Sequence, residues 1–172
     1  VTDIQQILGQ QSMVSDLRSG TSATEALLKS PYTSNYNLIH LATHGVVDEN
    51  NPAQSCIYLQ PGTDDDGLLY ASELYNLKLN AKLIALSACQ TGLGKISKGE
   101  GIIGLSRALV YAGAKNIVVS YWSVADASTA ILMKQFYEYA LANKEEEHFG
   151  DDLSKAKLRM IEEKKYAAPF YW

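Results

Sequence analysis

Asn37-Leu38-Ile39-His40-Leu41-Ala42, followed by Thr43-His44-Gly45, is the stretch on which the reading of the chain turns. A short run of apolar residues, closed by polar residues and a glycine, is the pattern of a strand buried on both faces of a parallel sheet. Two further runs have the same character: Lys82-Leu83-Ile84-Ala85-Leu86-Ser87 and Asn116-Ile117-Val118-Val119-Ser120-Tyr121. Helical patterns lie around them. Residues 21–30 open with Thr21-Ser22 as a cap and end at Pro31, and residues 101–112 stop at Gly113. In the latter, Ile102, Ile103, Leu105, Ser106, Leu109 and Val110 are expected on one side. Residues 127–142 and 151–165 repeat the helical period, the second opening with Asp151-Asp152 where negative charge favours a helix start. Alternating strand and helix predicts an α/β layer structure with right-handed crossovers.

Between the first two strands the chain makes a polar excursion over 48–67. Asp48-Glu49-Asn50-Asn51-Pro52 and Pro61-Gly62-Thr63-Asp64-Asp65-Asp66-Gly67 flank Cys56-Ile57-Tyr58-Leu59, which predicts a surface hairpin and loop. The terminal Ala168-Pro169-Phe170-Tyr171-Trp172 suggests a chain that continues into another buried element.

The 172 residues are 47% hydrophobic and 20% charged, which suits one globular domain over 1–172 with a substantial core. The net charge is -4 and no Lys/Arg stripe is present, so nucleic acid is not an expected partner. No apolar run reaches the roughly 20 residues of a membrane span, and the first residues do not form a signal peptide. Cys56 and Cys89 lack the spacing of a disulfide framework or a zinc site. A soluble protein of a reducing compartment, the cytoplasm, is expected, with no metal and no cofactor.

Two strand ends carry chemistry. His44-Gly45 follows the first strand and Cys89-Gln90-Thr91-Gly92 the second. Reacting groups in open parallel sheets gather beyond the carboxyl ends of strands, where loops vary on a fixed frame. A thiol is mostly protonated at neutral pH, so a nucleophilic Cys89 needs an imidazole, His44, to take its proton and pass it to a leaving group. The N–H groups of Gly45 and Cys89 are the candidate oxyanion donors. The remaining residues read as structural: Cys56 as a core thiol, His40 as a packed and hydrogen-bonded histidine, His148 as solvated, and Asp64-Asp65-Asp66 as a solvent-facing turn.

At Leu41-Ala42-Thr43-His44-Gly45 and Leu86-Ser87-Ala88-Cys89-Gln90-Thr91-Gly92 the chain resembles the CHAT family of caspase-like peptidase domains, often attached to tetratricopeptide repeats. The likeness continues through Lys98-Gly99-Glu100-Gly101-Ile102-Ile103-Gly104-Leu105-Ser106-Arg107-Ala108 and Tyr121-Trp122-Ser123-Val124-Ala125-Asp126. It implies a three-layer α/β/α caspase–haemoglobinase fold with a mainly parallel central sheet, and a His44/Cys89 dyad. The interval, 89 − 44 = 45 residues, is near the roughly 50 of the caspase signature. Ser87 in place of Gln and the extra Thr91 depart from true caspases, which puts cleavage after Asp in doubt. By the same likeness Trp122, Ser123 and Val124 form an edge for the substrate backbone; where caspases use an arginine to hold an acidic residue this segment offers Val124 and then Asp126, which suggests a basic residue before the cut. Asp126 can equally be read as the cap of the helix from Ala127.

The resemblance further implies a C-terminal catalytic portion. An upstream degenerate half would leave its remnant at 1–20, with regulation by tetratricopeptide or other repeats. The function it points to is a cysteine endopeptidase acting on a protein or peptide partner, in bacterial defence or cell-death signalling. The alternative is a silent scaffold of the same fold that binds partners without cutting them. A nucleotide-binding domain is disfavoured, because Gly92, Gly94, Gly99, Gly101 and Gly104 lack the phosphate-loop spacing.

Overall fold

The computed structural model describes residues 1–48, 50–87, 89–90, 100–120, 122, 124–142 and 148–172, with backbone alone for 89–90 and 100–103. In chain order the elements are α1 Thr2–Gln10, α2 Glu25–Lys29, β1 Leu38–Leu41, β2 His44–Val46, β3 Cys56–Tyr58, β4 Leu68–Tyr70, α3 Ala71–Leu74, β5 Leu83–Leu86, β6 Cys89–Gln90, α4 Glu100–Tyr111, β7 Ile117–Val119, α5 Asp126–Ala140 and α6 Phe149–Glu162. They form two compact units, one of residues 18–123 and one of 1–17 with 124–172.

In the 18–123 unit the three apolar runs pair in parallel in the order β1-β5-β7. All four residues of the central strand β5 are buried, which explains its unbroken apolar sequence. Ile84 and Leu86 share a core with Ile57, Leu69, Leu74, with Leu105, Ala108 and Leu109 of α4, and with Ala112 just after it. The buried stripe of α4 thus follows the i, i+3, i+4, i+7 rule. Val110, expected on that stripe, is instead 56% exposed, because one step beyond Leu109 turns it to the outer face. Gly113 ends α4 as expected, at φ +107, where an added Cβ would meet the Asn80 N at 2.8 Å.

A purely parallel arrangement does not extend to the rest of the unit. A second sheet runs β4-β3-β2-β6, with β3 antiparallel to both β2 and β4 and with β2 parallel to β6. The expected hairpin is its β3–β4 portion. Strand β3 alternates in the way period 2 requires at its end: Ile57 is wholly buried and Tyr58 faces out.

Helix α2 starts later than expected. Thr24, not Thr21-Ser22, caps it, its hydroxyl accepting from the Leu27 N–H at 3.3 Å, while Gly20–Ser22 is a 3-10 turn. The cause is a tertiary contact. Gln60 N–H donates to Ala23 O at 2.9 Å and Glu25 N–H donates to Gln60 O at 3.1 Å, which holds Thr24 extended beside the hairpin. Pro31 ends α2 and opens a further 3-10 turn, Pro31–Asn35.

Glu25 is buried at 1% exposure, and its carboxylate is matched on both oxygens. One accepts from the Gly67 N–H at 2.8 Å; the other meets the Lys29 ammonium, which also reaches Asp65 at 2.9 Å and Glu73 at 2.7 Å. Gly67 is required here, at φ +83 with Leu59 O only 2.8 Å from where a Cβ would stand. The triple-aspartate turn is therefore partly an internal one. Desolvation alone would lower the Lys29 pKa, but hydrogen bonds to Asp65, Glu25 and Glu73 outweigh it and hold the pKa above its ordinary value.

The other unit is helical. Helix α5 packs on α6 and on α1, and buries Leu132, Met133, Phe136 and Tyr137 with Phe149, Ala156 and Met160 of α6. Burial pushes the Tyr137 hydroxyl up. Arg159 of α6 joins Glu138 at 2.8 Å and Glu163 at 3.0 Å along the seam. The aromatic terminus closes as a 3-10 turn, Pro169–Tyr171, with Phe170 63% exposed.

Replacing Lys29 by Met leaves a buried carboxylate without its cation, which costs about 3 kcal/mol. Urea unfolding of the two proteins checks this. A lysine whose folded pKa is raised gives its full stabilisation below its unfolded pKa of about 10.4. The difference between the proteins is therefore constant from pH 7 to pH 9, and it is lost only as the pH rises through the folded pKa.

Candidate active site

Strands β1 and β5 pair with a fixed offset: Leu38 opposite Leu83 and Leu41 opposite Leu86, that is 83 − 38 = 45 residues. Each chain then passes through two residues, 42–43 and 87–88, before pairing resumes as β2 with β6. There His44 is opposite Cys89 and Gly45 opposite Gln90, again an offset of 89 − 44 = 45. The backbone of the imidazole residue therefore lies beside that of the thiol residue, one strand spacing or about 4.8 Å away. The Ser87 N–H bridges the break by donating to Leu41 O at 3.0 Å.

His44 begins β2 with its side chain exposed, and Gly45 beside it is buried. Strand β2 is flanked on both sides, so Gly45 lies between Ile57 and Gln90 in the ladders. Cys89 stands on the edge strand of this sheet among the described residues, so its strand has a side free of β2.

The residues expected at the substrate edge fall partly in each unit. Trp122 is half-buried at the end of the 18–123 unit, and Ser123 lies outside the described residues. Val124 is buried and Asp126 exposed, both in the other unit. Asp126 is not the cap of α5. That position falls to Ala125, and Asp126 is the first helical residue, where its charge favours the positive end of the helix.

Cys56 is the buried thiol expected, at 5% exposure. Desolvation pushes its pKa up and nearby Asp66 adds to this, against a lowering hydrogen bond with the Val46 backbone. His148 is exposed before α6. Among the described residues no three His, Cys, Asp or Glu side chains gather as a metal would need, and no helix is long and apolar enough to cross a membrane.

His40, one residue before the end of β1, makes the hydrogen bond expected of a packed histidine: its Nε2 lies 3.0 Å from Ser87 Oγ. Protein crowding around the ring pushes its pKa down to about 4, although part of the side chain still reaches solvent. This pair ties the ends of the two strands that lead to His44 and Cys89. Sequence reasoning missed Ser87 as its partner, and also Tyr58 and Thr43. The Thr43 hydroxyl donates to Tyr58 O, fastening β3 next to the start of β2. Alternation in Cys56-Ile57-Tyr58 was the available signal for an outward Tyr58; nothing local marks the other two.

A family profile described as CHAT domain matches residues 1–172. Tetratricopeptide repeat protein 28 from mouse is 35% identical over 74 residues, 43% of this chain and 3% of that protein. The human protein of the same name gives the same figures. The stretch shared is thus a small part of those relatives.

Folding keeps His40 neutral, so its stabilising contribution is full above its ordinary pKa of 6.5 and declines as the pH falls toward 4. Allowing for partial exposure, this amounts to about 2 kcal/mol. His40→Gln should flatten the fall of unfolding free energy between pH 6.5 and 4 in urea titrations, and an unchanged slope would contradict the assignment.

Proposed function

Since this chain belongs to the CHAT domain family, a caspase-like family, we propose that it is a cysteine endopeptidase with Cys89 as nucleophile and His44 as general base. The single observation that supports this most is the register of β2 with β6, which sets the two residues opposite one another at the ends of parallel strands. On this reading β1-β5-β7 is the centre of a three-layer caspase–haemoglobinase fold.

His44 takes the thiol proton, and the Cys89 sulfur attacks the peptide carbonyl carbon to form a C–S bond. Negative charge gathers on the carbonyl oxygen, for which the Cys89 and Gly45 N–H groups are the proposed donors. Ladder pairing on both sides of Gly45 makes Cys89 the stronger of the two. The C–N bond then breaks as His44 returns the proton to the leaving amine. Water, deprotonated by His44, attacks the thioester; the acid departs and the thiol is restored. Atoms balance with one water consumed per bond, and no cofactor takes part.

The substrate is a protein or peptide. The name of the mouse and human relatives, which speaks of tetratricopeptide repeats, supports a repeat region as regulatory partner for such a chain.

Cys89→Ala and His44→Ala should each lower kcat for peptide-library cleavage by about a thousandfold or more, since residues working as one unit fail together, while circular dichroism stays that of the wild type. Cleavage by Cys89→Ala at the wild-type rate would refute the assignment. Capture of a peptide by the wild type without any cutting would favour the scaffold reading instead.

A further inference from the structure

The second sheet sets four residues in one row, one from each strand. Cys89 of β6 is opposite His44 of β2, and Tyr58 of β3 is opposite Leu68 of β4. The β2–β3 register, Gly45 opposite Ile57, carries one step back to His44 opposite Tyr58. Residues opposite one another in register share a face. The next row is Gln90, Gly45, Ile57 and Leu69, of which Gly45 is buried and Ile57 and Leu69 are wholly buried. That face is the one packed on the core, so the row of His44 belongs to the opposite face.

The opposite face is most open at this row. His44 is exposed, Tyr58 is 38% exposed and Leu68 is half-buried, whereas Cys56 in the row of Val46 and Tyr70 is buried. A large aromatic ring left partly in water beside a candidate catalytic histidine is apolar surface available to a ligand. The backbone that carries it is held in place, since the Thr43 hydroxyl donates to Tyr58 O and Tyr58 pairs with Leu68 in the hairpin.

Order along the row gives the ledge its occupant. Cys89 carries the acyl part of the substrate, and His44 delivers its proton to the leaving amine, so the leaving segment lies on the side of His44 away from Cys89. That side is Tyr58 and then Leu68. One strand spacing, about 4.8 Å, is within reach of the first side chain on a segment that advances about 3.3 Å per residue. We propose that Tyr58, supported by Leu68, is a specificity-determining residue that selects an apolar or aromatic side chain immediately after the cleaved bond. This rests on the peptidase reading above and names a subsite for it.

The test uses a peptide library varied at the residue after the cut, with the purified protein and its Tyr58→Ala, Tyr58→Thr and Tyr58→Phe variants. A second readout is labelling of Cys89 by a peptidyl fluoromethyl ketone, whose peptide occupies the acyl side and whose small fluoride leaving group leaves the other side empty. The wild type should prefer Phe or Leu over Ser or Asp after the cut. Tyr58→Ala and Tyr58→Thr should reduce that ratio of kcat/KM about tenfold, Tyr58→Phe should retain it, and all four proteins should label Cys89 equally. Cleavage with an unaltered preference in Tyr58→Ala and Tyr58→Thr overturns the subsite alone. Absence of both cleavage and labelling in the wild type overturns the peptidase reading and the subsite with it.

Discussion

Parallel pairing of β1 with β5 is the constraint on which the candidate site depends. Its offset of 45 residues persists across the break into β2 and β6, because each chain spends the same two residues, 42–43 and 87–88, between one ladder and the next. One residue more or fewer in either connection would shift His44 and Cys89 out of register. The ladder is anchored by burial, with every residue of β5 inside the core, and its end is tied by the His40–Ser87 hydrogen bond. Losing a large side chain there costs about 2–5 kcal/mol, so the placing of the two chemical residues is inherited from the stability of the sheet.

Much of this is legible in the amino-acid sequence. Continuous apolar runs identify β1, β5 and β7, but only the central β5 is buried throughout as a strand covered on both faces should be, its neighbours β1 and β7 being largely half-buried. His44 and Cys89 stand out because they follow such runs at similar distances. The second sheet was less visible. Its strands have two or three residues each, too short for periodicity to show, and only the Cys56-Ile57-Tyr58 segment between turn residues hinted at it. The start of α2 and the partner of His40 were hidden for another reason. Both depend on residues distant in sequence, Gln60 and Ser87, that no local pattern connects. Asp126 went from helix cap to first helical residue by one position, the ordinary uncertainty of a helix boundary.

Two histidines four residues apart illustrate how the fold divides labour. His40 is half-buried, bonded to Ser87 and driven toward the neutral form, so it serves as a hydrogen-bonding strut. His44 begins the next strand and is exposed. The two cysteines divide in a related way: Cys56 is shut into the core with its thiol pKa raised, unsuited to nucleophilic work, and Cys89 belongs to an edge strand among the described residues.

The central claim is that His44 acts on the thiol of Cys89. Its most direct measurement is the second-order rate of Cys89 alkylation by iodoacetamide at neutral pH, read by peptide mass mapping in the wild type and in His44→Ala. An assisted thiol should react about tenfold or more slowly once the imidazole is removed, with Cys56 unmodified in both proteins. Equal rates at Cys89 in the two proteins would contradict the account.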